Sequence, residues 1–178
     1  MQFKTEELYI RKAIEADLEQ LDLVRESIKY IATWMSIEAD ELDGTIKHGF
    51  YNGWDLPPNY SNEAYQLLTI EKQNESIVGY LALTHQYPDT NCIWVSMLAI
   101  NPSCQGKNYG KQVILELINY LKNNSSLNYK KIALSVDLKN WPAVNFWINA
   151  GFKDIVKYLG DKAYSDKNFA KIVLERTI

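Results

Sequence analysis

A chain of 178 residues, 47% hydrophobic and 23% charged, has the size and composition of one domain with its own hydrophobic core. Its formal charge of -3 makes it a poor candidate for sequence-independent binding to nucleic acid or anionic membrane, which needs a basic surface, so neither is expected as a partner. A local basic patch is compatible with that charge. With two histidines, His48 and His85, and two cysteines, Cys92 and Cys104, outside any Cys-x-x-Cys spacing, no metal site is expected and both thiols are read as reduced.

The first ten residues carry no apolar run behind a positive cluster, and a cytoplasmic location is expected. Leu8 to Lys12 alternates as a strand does. Asp17 with Gln20 reads as a capping box, and Leu18, Leu21, Val24, Ile28 and Ile31 recur at helical spacing behind it. From Glu38 to Asn62 the chain is acidic first (Glu38, Asp40, Glu41, Asp43), then aromatic (Phe50, Tyr51, Trp54), and breaks at Pro57-Pro58. A short helix and a structured loop are expected there.

Three strands follow, Tyr65 to Glu71, Ile77 to His85 and Cys92 to Asn101. Turn residues at Asn74-Glu75 and Tyr87 to Asn91 predict antiparallel neighbours. The last of the three holds the most apolar run, too short to cross a bilayer as a helix. Asn108 to Lys122 reads as a helix with Val113, Ile114, Leu117, Ile118 and Leu121 inward. Strands are predicted at Lys130 to Asp137, Phe152 to Tyr158 and Phe169 to Arg176, with a helix from Asn140 to Ala150 stopped by Gly151. The expectation is one α/β domain spanning residues 1–178, built on a single mixed, mainly antiparallel twisted sheet flanked by helices.

Chemistry concentrates in Leu98-Ala99-Ile100-Asn101-Pro102-Ser103-Cys104-Gln105-Gly106-Lys107-Asn108-Tyr109-Gly110-Lys111. A buried strand, a tight polar loop and a helix start aim unpaired backbone N–H groups and the positive end of a helix dipole at one point. Such a point suits a phosphate or diphosphate, with Lys107 and Lys111 adding charge. Strand–turn–helix geometry alone also accounts for the glycines. In the second stretch, Asp137 to Phe152, Asn140 is placed to cap a helix and Pro142 fits its first turn.

Together the two stretches resemble the GNAT superfamily of N-acetyltransferases. Its loop, Q/R-x-x-G-x-G/A, stands here as Gln105-Gly106-Lys107-Asn108-Tyr109-Gly110. Its later element stands as Asn140, Ala143, Phe146-Trp147 and Gly151-Phe152. The resemblance covers nearly the whole chain, least so from Glu38 to Asn62. It implies the GNAT fold with splayed central strands, acetyl-CoA as cosubstrate, and transfer of the acetyl group by direct attack of a small-molecule amine. It implies that Leu98, Ala99 and Ile100 pair with pantetheine, that an N–H near Leu98 polarises the acetyl carbonyl, and that Gln105 through Lys111 hold the diphosphate. Asn140 would reach the amide arm of coenzyme A.

Two positions depart from the family pattern. Asn108 replaces the first loop glycine, and Asn is the non-glycine residue that adopts positive φ at least cost. Trp147 replaces the tyrosine that often protonates the departing thiolate; an indole N–H donates a hydrogen bond but is no acid near neutral pH. No carboxylate interrupts Trp94-Val95-Ser96 to serve as a base. His85, at a strand end expected near Trp94, is a candidate base, against an ordinary strand-end histidine. Tyr164 is a candidate acid, against a plain surface tyrosine. Cys104 is read as inert, since direct attack needs no enzyme nucleophile. The acidic-aromatic segment reads either as a solvated helix face or as a surface for a cationic acceptor. A catalytically weak acyl-CoA-binding module and a protein or peptide N-acetyltransferase are the competing functions, and a homodimer is compatible with the sequence.

Overall fold

Alternation of apolar residues along each strand and their 3.6-residue recurrence along each helix generate a sheet with helices on both faces. The computed structural model describes residues 1–35, 44–72 and 76–178. In chain order come β1 (Phe3–Lys4), β2 (Leu8–Lys12), α1 (Leu18–Ser27), α2 (Thr45–Asn52), β3 (Tyr65–Lys72), β4 (Ile77–His85) and β5 (Cys92–Ile100). They are followed by α3 (Tyr109–Asn123), β6 (Lys131–Asp137), α4 (Trp141–Asn149), β7 (Asp154–Gly160) and β8 (Ala170–Thr177). The strands form one sheet in the order β1-β2-β3-β4-β5-β6-β8-β7. Every pairing is antiparallel except β5 with β6.

The strand residues sort onto two faces. Leu68, Ile70, Leu81, Leu83, Ile132 and Leu134 join Val113, Ile114, Leu117 of α3 and Val144, Trp147 of α4 in the larger core. Leu67, Tyr80, Ala82 and Ala99 meet Leu21 and Val24 of α1 and Ile46 of α2 in the smaller one. Burying a Leu or Ile side chain stabilises by about 1.5–3 kcal/mol, so both helical layers are held chiefly by apolar contact with the sheet.

Three sequence expectations change. The capping box at the start of α1 does not form. Asp17 instead accepts from the Ile14 N–H at 2.7 Å and receives both Arg11 guanidinium nitrogens, at 2.7 and 2.9 Å, while Gln20 accepts from the Ile77 N–H at 3.4 Å. The carboxylate's acceptor sites are thus taken by the Arg11 guanidinium and by an amide that precedes the helix, and none caps α1. The helix stops at Ser27, so Ile28 lies just past its end and Ile31 falls in a 3-10 turn over Lys29–Trp34. β7 runs two residues further along the chain than expected and is exposed along its whole length, because it is the sheet's edge. The Asn74-Glu75 turn and the acidic residues Glu38, Asp40, Glu41 and Asp43 lie outside the described residues.

Candidate active site

The parallel pairing of β5 with β6 is short: only Cys92, Ile93 and Trp94 pair, with Lys131, Ile132 and Ala133. Beyond Trp94 the two strands separate. β5 remains paired with β4 to its end, with Leu81 opposite Leu98 and Gly79 opposite Ile100. The next pair is hydrogen-bonded, since the Asn101 N–H donates to Val78 O at 2.8 Å. Antiparallel ladders alternate, so Leu98 and Ile100 occupy non-hydrogen-bonded pairs and turn their N–H and C=O groups away from β4, into the splay. The Ile100 carbonyl there accepts from Gln105 Nε2 at 2.9 Å. A bulge at Ser96 precedes this stretch, since Ala82 faces Met97 while Leu83 faces Val95. The bulge re-aims β5 as it enters the splay.

After β5 a 3-10 turn over Pro102–Cys104 leads to the loop and α3. Asn101 closes that turn, its Oδ1 accepting from the Ser103 N–H at 3.0 Å. Gly106 and Asn108 both have left-handed backbone, at φ 76° and 64°. No side chain caps α3 at Asn108, so the first-turn amides of Tyr109, Gly110 and Lys111 are left for an external acceptor. An anion there gains about 0.3–1 kcal/mol from the helix end, and up to about 2 when sheltered. The Tyr109 side chain points elsewhere: it is buried in the larger core, with its hydroxyl donating to Glu7 at 3.4 Å. Lys107 is exposed and Lys111 half-buried.

Because Asn108 sits at positive φ, Asn108→Gly should fold and bind coenzyme A as the natural chain does. Asn108→Val should lose about 1–2 kcal/mol from the left-handed strain. Denaturant unfolding and calorimetry on both variants check this; equal stability of the two would overturn it.

The opposite wall is α4. Asn140 caps it, accepting from the Ala143 N–H at 3.2 Å. Trp147, 7% exposed, stacks edge-on between Phe146 and Phe152 with centroid separations of 4.9 and 5.1 Å. Gly110 is the contact point of α3 with α4: a Cβ on it would lie 3.2 Å from the Phe146 ring. This glycine is therefore explained by helix packing. These parts enclose a cleft of about 690 Å³, lined by Leu98, Ala99 and Ile100, by Gln105, Gly106 and Asn108 to Lys111 of the loop and helix start, and by Asn140 and Trp147, while Lys107 lies outside the lining. Its far wall, Ile28, Ile31 and Trp34, lies at the end of α1 and in the turn after it. Helical spacing marks Ile28 and Ile31 only as core, so the sequence reading missed those two for the site.

The three catalytic candidates are not brought together. Leu98 lines the cleft. His85 faces Ile93, five residues before Leu98 on β5, and lies outside that lining. Both its ring nitrogens are engaged, Nδ1 with Tyr129 Oη at 2.7 Å and Nε2 with Gln66 Oε1 at 3.2 Å. Burial, and then the positive N-terminus, hold its pKa below the ordinary histidine value. Tyr164 is 88% exposed and borders a second cavity of about 720 Å³. That cavity lies between the turn after α1 and the β7–β8 loop, and Trp34 lines it and the cleft alike. Cys104 is half-buried at the cleft margin, and no histidine or carboxylate lines the cleft among the described residues. They contain no cluster that could hold a metal ion, and no helix long and apolar enough to cross a membrane.

No curated protein matches the chain in sequence. Solved structures share its architecture. A spermidine N-acetyltransferase from Vibrio cholerae, in complex with CoA and spermine, superposes with a TM-score of 0.70 at 18% identity, covering 97% of this chain and 96% of that one. A GNAT-family acetyltransferase from Bacillus anthracis gives 0.70 at 14% identity over 99% and 98%. An acetyltransferase from Thermus thermophilus gives 0.66 at 18% identity over the full length of both. The sequence profile of the Acetyltransferase (GNAT) family matches residues 30–152, which span the splayed strands, the loop and α4. On that match, over well more than half its length, the chain belongs to the GNAT family of acetyltransferases and is an acyltransferase.

Proposed function

We propose that the protein transfers an acetyl group from acetyl-CoA to the primary amine of a small molecule. The observation that carries this reading is the pair of Leu98 backbone groups and the Ile100 N–H, turned away from β4 in one cleft with the uncapped start of α3. Acetyl-CoA supplies the activated thioester. The free edge of β5 fits an extended, amide-bearing arm, and the amides of the loop and of the first turn of α3 fit a diphosphate. The Leu98 N–H, fixed by the ladder to β4, is a rigid donor for a carbonyl oxygen. Asn140, with its Oδ1 engaged by the helix, keeps its amide nitrogen for the cofactor arm. Trp147 excludes water from the inner wall. The Vibrio cholerae enzyme, a spermidine N-acetyltransferase seen with spermine, supports a cationic amine as acceptor.

Among the described residues, no histidine or carboxylate lines the cleft to take the amine's proton. A primary amine with a pKa near 10.4 costs about 4.6 kcal/mol to hold neutral at pH 7, and alkaline pH removes that cost. The rate kcat/KM should therefore rise with pH toward the amine's own pKa, without a plateau near 6 to 7. His85→Gln should leave the profile unchanged. The test is thiol release from acetyl-CoA against a panel of polyamines, aminoglycosides, amino acids and peptides. Coenzyme A binding with no turnover on any amine would favour the second reading, an acyl-CoA-binding module, which the absence of a proton donor at Trp147 supports.

A further inference from the structure

β7 is the free edge of the sheet, and each of its residues from Asp154 to Gly160 is exposed. The Asp161 N–H donates to Phe169 O at 2.9 Å, and hydrogen-bonded pairs alternate along the ladder from there. Leu159 and Lys157 therefore engage Lys171 and Val173 with their backbone groups. Tyr158 and Gly160 turn theirs to the open edge, where another strand can pair with them.

The side chains along this edge are largely apolar. Ile155 and Tyr158 stand opposite Leu174 and Ile172 of the larger core, so they lie on the face that carries α4. Phe146 of α4 meets Gly110 of α3. Trp141 and Ile148 form one stripe, about 140–160° round the helix from Phe146, and look away from α3, over β8 toward β7. Trp141 is 67% exposed, Ile148 41%, Ile155 47% and Tyr158 73%, with Val156 and Leu159 at the same edge at 51% and 38%. At about 150–250 Å² for a large side chain, these fractions leave roughly 600 Å² bare. That is the upper end for a monomer's apolar patch, and most of the roughly 800 Å² per partner that a stable interface buries.

The charges at this edge decide which partner fits. A bulge at Val156 puts Ile155 opposite Leu174 and Lys157 opposite Val173, which are neighbours on β8. Asp154, opposite Glu175, therefore shares with Lys157 the face of the sheet away from α4. On a regular strand the two would point to opposite faces. Two copies of β7 laid antiparallel, bulge to bulge, set Asp154 of each against Lys157 of the other on that face. A shift of register either way sets Asp154 against its own copy, or Lys157 against its own, and like charges directly opposite are destabilising. An edge bulge and an edge lysine discourage indiscriminate strand pairing. Here they admit one self-complementary register.

We propose that β7 pairs with β7 of a second copy of this chain, about a twofold axis through the bulge. The two eight-stranded sheets join edge to edge, and the joint covers the apolar side chains of β7 beside the Trp141 and Ile148 stripe. The inference is independent of the acetyl-transfer reading.

Sedimentation equilibrium of the full chain at micromolar concentration should give twice the 20.6 kDa of one copy. Asp154→Lys sets two cations against each other and Lys157→Asp two anions, and each should weaken dimerisation at least tenfold. The double variant restores both pairs with their signs exchanged and should recover the dimer. Ile155→Lys, which places a cation at the bulge contact, should dissociate it as well. All these side chains are exposed, and circular dichroism should show the natural fold in every variant. A natural chain that sediments as a monomer, or as an assembly larger than a dimer, overturns the proposal. So does dimerisation unchanged in the single variants, because the second copy then sits on another surface. A double variant no better than the two single ones overturns it equally, since the loss then owes nothing to the pairing of Asp154 with Lys157.

Discussion

Trp147→Ala should destabilise the protein by about 3–5 kcal/mol, the cost of emptying a large aromatic site in a packed core. Trp147 is buried between Phe146 and Phe152 and joins the cluster that holds α4 on the sheet. It also lines the cleft, so the variant should turn over acetyl-CoA poorly even where it remains folded. Trp147→Phe keeps a ring between its two neighbours and should retain most of both properties. Denaturant unfolding and thiol release on the two variants check this. An alanine variant as stable and as active as the natural chain would show that the indole is not the wall described.

Gly79→Ala should cost about 3 kcal/mol or more, at the upper end of overpacking effects. A Cβ at Gly79 would lie 2.3 Å from the Ala99 carbonyl oxygen and 2.9 Å from Ile100 Cδ1. The first of these is backbone, at the end of the β4–β5 ladder, and no rotamer change relieves it. Relief requires β5 to move, and β5 presents Leu98 and Ile100 to the splay. The expected result is a lowered unfolding midpoint together with weaker coenzyme A binding, measured by calorimetry below that midpoint. Loss of stability with full coenzyme A affinity would mean that β5 tolerates the shift without losing the geometry of its free edge.

Much of this architecture is legible along the chain. The turn residues between Tyr65 to Glu71, Ile77 to His85 and Cys92 to Asn101 predict three antiparallel neighbours, and β3, β4 and β5 are that. The five inward residues read for the helix after Asn108 are all buried in α3, joined by Tyr109. Asn108 is expected at positive φ and has φ 64°. Asn140 is expected to cap a helix and does so. These features are decided within a few residues, by side-chain sterics, by caps and by which face of a short element is apolar. The capping box of Asp17 escaped the same reasoning, because its competitor, Arg11, lies on a strand that only folding brings beside it.

The sequence by itself determined the element types, the two-faced sheet and the phosphate-suited loop, since about two-residue and 3.6-residue periodicities and helix punctuation are local properties. Only the tertiary structure decided where β5 and β6 part, and hence that Leu98 and Ile100 offer free backbone groups. That follows from which residues pair across strands joined by α3, and from a bulge at Ser96 that no residue type announces. It decided that Gly110 answers to Phe146, that His85 spends both nitrogens on Tyr129 and Gln66, and that Asp137 lies buried without a full set of partners. Each of these depends on groups tens of residues apart, whose meeting is fixed by packing and hydrogen-bond partners rather than by the neighbours in the chain.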